Sequence, residues 1–123
     1  MKHLTNREEE IMEIFWKRGA IYVKDVIEDL KDDPKPHYNT ISTMVRGLEE
    51  KGFLGYKDYG STYLYHPLIS RKAYNVKNLK NFISKYFDNS FKQVVSTFVE
   101  EEDLSVEDLK EIIRDIEQRK KKK

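Results

Sequence analysis

Cysteine is absent from the 123 residues. That removes disulfides, zinc-finger ligand patterns and thiol chemistry together, and it fits a reducing compartment. Also missing is any apolar run approaching the roughly 20 residues needed to cross a bilayer. The opening MKHLTNREEE carries charge where a secretory signal has its apolar segment, so a cytoplasmic location is expected. Charge of one sign is not in excess: 23 basic residues face 22 acidic ones, a net +1. Bulk charge therefore does not point to nucleic acid, and only its distribution can. Catalytic signatures are lacking as well. There is no HExxH, glycine-rich phosphate loop or GxSxG, and His3, His37 and His66 are scattered. The contiguous acids Glu8 to Glu10 and Glu100 to Asp103 fan outward on a helix instead of converging, so each reads as a solvated helix end and not a metal site. No enzyme activity, cofactor or metal is expected.

What is present is helical periodicity followed by a hairpin. The length suits one compact domain, or a small domain with a helical appendage. Thr5 followed by Glu8 is a capping box that opens a first helix, with Ile11, Met12, Phe15 and Trp16 as its buried stripe and Gly19 as its stop. Tyr22 to Lys31 carries Val23, Val26, Ile27 and Leu30 at helical spacing and predicts a short second helix. Asp32, Asp33, Pro34 and Pro36 interrupt the chain, with Pro36 suited to the first turn of a third helix.

On a wheel of 100° per residue, the third helix places Ile41, Val45 and Leu48 on one side, with Met44 and Tyr38 at the margins. Asn39, Ser42, Thr43 and Arg46 fall on the opposite side, with Thr40 and Gly47 at its edge. This face is short, polar and uncluttered. It is either a solvated face or one shaped for the major groove, which is about 12 Å wide and rewards an Arg directed at guanine.

After Gly52 come FLGYK, the turn DYGS and TYLYHPL, in which Tyr56, Tyr63 and Tyr65 alternate around a glycine-containing turn. Two short antiparallel strands, three at most, are predicted. Three helices and a hairpin make the winged-helix order, in which the hairpin tip reaches DNA beside the third helix. Lys57, Tyr59, Ser61 and Thr62 flank that tip and suit phosphate contacts through charge, hydroxyl or backbone N–H. Tyr56, Tyr63 and Tyr65 are better explained by packing of the hairpin, and His37 as a neutral surface histidine. The charge balance agrees in direction: residues 1–35 carry −2, residues 36–72 carry +2 and residues 73–123 carry +1.

Beyond the hairpin, three amphipathic helices are predicted over Ala73–Phe87, Phe91–Glu102 and Ser105–Arg119, the last opened by a Ser105–Asp108 cap. The expected architecture is mainly α with a small wing, divided into a DNA-binding domain at 1–72 and a helical domain at 73–123. The later helices carry Phe82, Val94, Val95, Phe98, Leu109, Ile112, Ile113 and Ile116, too much apolar surface for water. A second copy of the chain covers it most economically; the alternative is that these helices fold back on the N-terminal domain. Lys120 to Lys123 is read as a frayed, solvated tail.

LTNREEEIMEIFW, YNTISTMVRGLEEKGFLGY and NFISKYFDNSF with FVEEEDLS together resemble the BlaI/MecI family of bacterial penicillinase repressors, over nearly the whole chain and in order. The resemblance implies a homodimeric transcriptional repressor on a dyad-symmetric DNA operator, read by Asn39, Thr40, Ser42, Thr43 and Arg46. It also implies induction through a membrane sensor pathway and a protease that cuts an Asn–Phe bond in the dimerisation domain. The matching bond is Thr97–Phe98, where Phe98 is retained and the Asn is not. The copper-sensing branch of the family uses cysteines that this chain lacks. The competing reading of the same fold is a winged-helix protein-interaction module. That module calls for apolar or acidic residues on the outer face of the third helix, where this sequence has Asn, Ser, Thr and Arg.

Overall fold

The computed structural model describes residues 3–121. Helix α1 (Asn6–Arg18) opens as the capping box requires. The Thr5 hydroxyl accepts from the Glu8 N–H and the Glu8 carboxylate accepts from the Thr5 N–H. Ile11, Met12 and Phe15 are fully buried, and Gly19 ends the helix at a φ of 86°. Helix α2 (Val23–Asp29) is shorter than the periodicity predicts, because Leu30 is already extended. Helix α3 (Tyr38–Glu50) buries Ile41, Val45 and Leu48. Pro36 is not in its first turn: His37 is the N-cap, so Pro36 lies one residue before the cap and shapes the approach to the helix.

Strands β1 (Leu54–Asp58) and β2 (Tyr63–Pro67) pair antiparallel, with Tyr56 opposite Tyr65 and Asp58 opposite Tyr63. Ile21 adds one bridge to this ribbon by exchanging both backbone hydrogen bonds with Tyr65 at 2.9 and 3.0 Å. The loop between α1 and α2 is thereby stapled to the wing. Phe53 and Leu54, at the entry to β1, complete the core with Val26 and the α1 and α3 residues.

Helices α4 (Arg71–Tyr86), α5 (Phe91–Glu100) and α6 (Val106–Lys121) follow. Ser70 caps α4 by accepting from the Ala73 N–H, which starts that helix two residues earlier than predicted. The chain divides into two compact units within α4, between Asn75 and Val76. The first turn of α4 belongs to the N-terminal unit through Tyr74. Its ring meets Trp16 and Phe53 at 5.5 and 5.7 Å, and its hydroxyl donates to Glu9 at 2.8 Å. The Trp16 indole N–H donates to the Ile69 carbonyl, and Arg71 pairs with Glu13. Residues 120 and 121 continue α6 where a frayed tail is predicted, and Lys122 and Lys123 lie outside the described residues.

In the second unit, Ser90 caps α5, and Ser105 and Asp108 form the predicted reciprocal cap of α6. Asp88 and Asn89 adopt positive φ to turn the chain between α4 and α5. Ile83 is the one buried side chain among the described residues of this unit. Phe82 and Ile113 are 51% and 54% exposed.

Two of the acids expected at a solvated helix end, Glu8 and Glu9, depart from that expectation. Glu8 is not at a solvated helix end: it is buried, and its carboxylate takes both the Thr5 N–H and the Lys51 ammonium, the latter at 2.7 and 2.9 Å. Glu9 is held by Tyr74 as well, which leaves Glu10 as the exposed member of the three. The Glu8–Lys51 pair joins the start of α1 to the end of α3. Burial raises the Glu8 pKa, but the hydrogen bonds from Lys51 and Thr5 outweigh it and hold the carboxyl below its ordinary value. A depressed pKa in the folded state means that the group stabilises fully above the ordinary glutamate range, about pH 4.3, and loses that contribution as pH falls through the folded value. Glu8→Gln is expected to cost about 1–3 kcal/mol at pH 7 and to flatten the loss of stability below about pH 4; urea unfolding across pH 3–7 measures both, and an unchanged acid limb contradicts the assignment.

Candidate nucleic-acid interface

Burial of Ile41, Val45 and Leu48 sets the rotation of α3 and so decides what faces outward. Asn39, Thr40, Thr43 and Arg46 are exposed, and Ser42 is half-buried. Among the described residues Arg46 has no hydrogen-bond or ion-pair partner, so its five donors are not used within them. Thr43 differs. Its hydroxyl donates to the Asn39 carbonyl one turn back at 2.8 Å, which leaves a methyl group and a lone pair facing out in place of a free donor.

The wing tip is built by backbone bonds. Tyr59 N–H donates to the Thr62 carbonyl at 2.8 Å, and Gly60 N–H donates to the Asp58 carboxylate at 2.8 Å. Gly60 needs its positive φ of 86° to make this turn. Asp58 is consequently occupied within the turn. Strand alternation places Tyr56, Tyr63 and Tyr65 on one face, where the Tyr56 and Tyr63 rings meet at 4.6 Å and both touch Tyr65. Tyr65 is buried, and burial raises its phenol pKa against the opposing pull of Arg46. Lys57 lies on the opposite face of the ribbon, beside Leu64 in the register.

Between α3 and the wing runs a groove of about 600 Å³. From the predicted residues it gathers Ser42, Arg46, Ser61 and Thr62; Asn39, Thr40, Thr43, Lys57 and Tyr59 lie outside its lining. The other lining residues were not predicted as site residues: the sequence reads Val23 as core, Tyr63 and Tyr65 as hairpin packing, Tyr38 as marginal to the apolar stripe of α3, and Tyr22 and Lys24 only as the start of α2. The signal for Tyr38 was available, since 38, 42 and 46 are spaced by four and form one stripe of a helix. Tyr22 and Lys24 were hidden because their approach is tertiary: the Ile21–Tyr65 bridge brings the start of α2 to the wing. Among the described residues no group of three or more His, Cys, Asp or Glu side chains is arranged to hold a metal ion, and no helix is long and apolar enough to cross a membrane.

The family model for the penicillinase repressor matches residues 4–118. The methicillin resistance regulatory protein MecI of Staphylococcus aureus strain N315 is 31% identical over 109 residues, 89% of each chain. The penicillinase repressor of Bacillus licheniformis is 28% identical over 120 residues, 98% of this chain and 94% of that one. Among solved structures, the DNA-binding domain of the repressor BlaI superposes with a TM-score of 0.50 at 31% identity, covering 60% of this chain and 94% of that domain.

The wing turn supplies a direct test of its own geometry. A Cβ at Gly60 would meet nothing within 4 Å, so Gly60→Ala carries a backbone cost alone, about 1 kcal/mol. Asn tolerates positive φ better, so Gly60→Asn is expected to cost less than Gly60→Ala in urea unfolding. Equal costs for the two variants would show that the turn does not depend on the left-handed conformation.

Proposed function

The chain belongs to the penicillinase repressor family, whose members are transcriptional repressors and not enzymes, and from that premise we propose a homodimeric repressor that binds a dyad-symmetric DNA operator. The observation that carries this reading is the outer face of α3: short polar side chains and an unpartnered Arg46, beside a groove closed by the wing. A helix enters the major groove only if its facing side chains leave room, and a free guanidinium is the commonest reader of guanine there. Ser42 and Arg46 act with Asn39, Thr40 and Thr43 on base edges, Thr43 through its methyl and lone pair. Lys57, Tyr59, Ser61 and Thr62 act at the wing on the phosphate backbone. The N-terminal unit, which extends past the expected boundary at residue 72 to Asn75, is the DNA-binding domain, and the unit from Val76 onward is the dimerisation domain, in a cytoplasmic protein.

The dimer is supported by what the C-terminal unit leaves uncovered. Phe82, Val95, Phe98, Ile112, Ile113 and Ile116 are exposed, and Val94 and Leu109 are half-buried. A second copy that presents the same faces buries them at an isologous interface. Coupling two weak half-sites multiplies their binding, and separating the copies removes the gain. Release by cleavage at Thr97–Phe98 is disfavoured. That bond lies inside α5, and Thr97 donates its hydroxyl to the Gln93 carbonyl one turn back.

Selection of random duplexes at about 150 mM salt, where weak non-specific binding is suppressed, is expected to enrich a two-fold symmetric motif with half-sites about 10 bp apart. Arg46→Ala is expected to cost about 1–3 kcal/mol on that motif and much less on random DNA. Equal losses on both reduce Arg46 to a phosphate contact, and enrichment of nothing by the wild type replaces the repressor with an interaction module. Ile112→Asp places a charge in the proposed interface and is expected to sediment as a monomer with an intact winged helix. A dimer that persists in this variant refutes the role of α6.

A further inference from the structure

The groove between α3 and the wing has a chemistry that a reading surface does not require. Tyr22, Tyr38, Tyr63 and Tyr65 are four of its ten lining residues, so aromatic rings face it from α3, the wing and the start of α2. Its charged lining residues are Lys24 and Arg46, both cationic, and neither has an ion-pair or hydrogen-bond partner among the described residues. Among the described residues no acidic residue lines it; Glu49 is close enough to act on the Tyr65 phenol but stands outside the lining. At about 600 Å³ the space falls within the range of small-molecule sites, which are typically apolar or aromatic clefts with a few convergent polar groups. Duplex DNA presents phosphates and base edges in its grooves, and its rings are stacked inside the helix and so not free to enter between tyrosines. A small planar anion has both halves of the complement: a ring for the tyrosine faces and a carboxylate for the two cations.

We infer that this groove is a binding site for a small aromatic anion, of the aryl carboxylate class, whose occupancy displaces DNA. The ring lies against Tyr38 on the helix side and Tyr63 on the wing side. The carboxylate engages Arg46, with Lys24 as the second cation and the Ser42 and Thr62 hydroxyls as donors. Because Arg46 and Ser42 are also the proposed base-reading residues, ligand and operator compete for the same groups. Binding of the anion stands on the groove alone; its consequence for DNA rests on the repressor reading given above.

The test uses the full chain and sodium salicylate as probe, with sodium acetate and benzyl alcohol as the anion without a ring and the ring without a charge. Amide chemical shifts are followed at constant ionic strength. Salicylate is expected to shift Tyr38, Ser42, Arg46 and Thr62 along one saturating curve, with Kd on the order of 1 mM for so small a ligand. Acetate and benzyl alcohol are expected to bind at least about tenfold more weakly. Tyr38→Ala should weaken salicylate about tenfold while amides outside the groove keep their positions, which shows that the variant is folded. Equal response to acetate, shifts confined to the C-terminal helices, or no saturation overturns the site. In a parallel titration with the selected duplex, salicylate at ten times its Kd should weaken DNA binding about tenfold per half-site. Simultaneous occupancy of groove and duplex overturns the competition. If DNA binds and the groove stays empty, the ligand site falls and the repressor reading stands. If the groove saturates and no duplex binds, the site stands and the repressor reading falls.

Discussion

Everything the N-terminal unit presents to a partner depends on the burial of one stripe of α3. Ile41, Val45 and Leu48 have no measurable exposure, and a helix cannot rotate without exchanging such residues for polar ones. At about 100° per residue, a slip of one position would put Ser42 or Arg46 into the core. The polar face is therefore held by the energetics of the apolar one. Around this stripe the Glu8–Lys51 pair ties α1 to the end of α3, and the Ile21–Tyr65 bridge ties the α1–α2 loop to the wing. Three attachments of different chemistry thus hold helix and hairpin at one spacing, and the groove is the space that remains between them.

The second unit follows the opposite rule. Its helices are properly capped and strongly amphipathic, yet Ile83 is the one side chain that becomes buried among its described residues. Phe98 remains 45% exposed in the last turn of α5. Local signals therefore suffice to form these helices, while the apolar area needed to stabilise them is not supplied within the unit. In the proposed dimer that deficit gives association its driving force, so folding of the unit and pairing of the copies are one equilibrium.

Most of the architecture was legible because its signals are local. The Thr5–Glu8 and Ser105–Asp108 caps, the α3 wheel and the alternating tyrosines each occupy a few consecutive residues, and each appears in the structure as its pattern requires. What was not legible depends on distant partners. Glu8 looks like a solvated acid until Lys51, 43 positions later, arrives beside it. Pro36 suits a first helical turn, but His37 takes the cap. Thr43 reads from sequence only as a member of the polar outer face, and that its hydroxyl is already given to the Asn39 carbonyl one turn back is visible only in the structure. Tyr22 and Lys24 belong to the start of a short helix, and nothing in their immediate neighbourhood announces the wing across from them. The BlaI/MecI resemblance identified the family, yet it could not reveal the groove, which is a property of packed side chains.

If operator and anion compete for Arg46, the two halves of the dimer amplify the competition. Each half-site loses a factor of about 1 + [L]/Kd in DNA affinity. A dimer that needs both halves loses the square of that factor, so ligand at ten times its Kd weakens it by about a hundredfold. Separating the copies forfeits an effective-concentration gain of about 10²–10⁴, which is of comparable size. Occupying the grooves can therefore match the effect of breaking the dimer without cutting the chain. It is also reversible, and by linkage DNA must weaken the ligand by the same factor that the ligand weakens DNA. In the proposed repressor, where Thr97 stands at the position the family resemblance gives to the asparagine of the cleaved bond, and the proposed reading cation Arg46 lines a groove with four tyrosines, release by occupancy needs no cut.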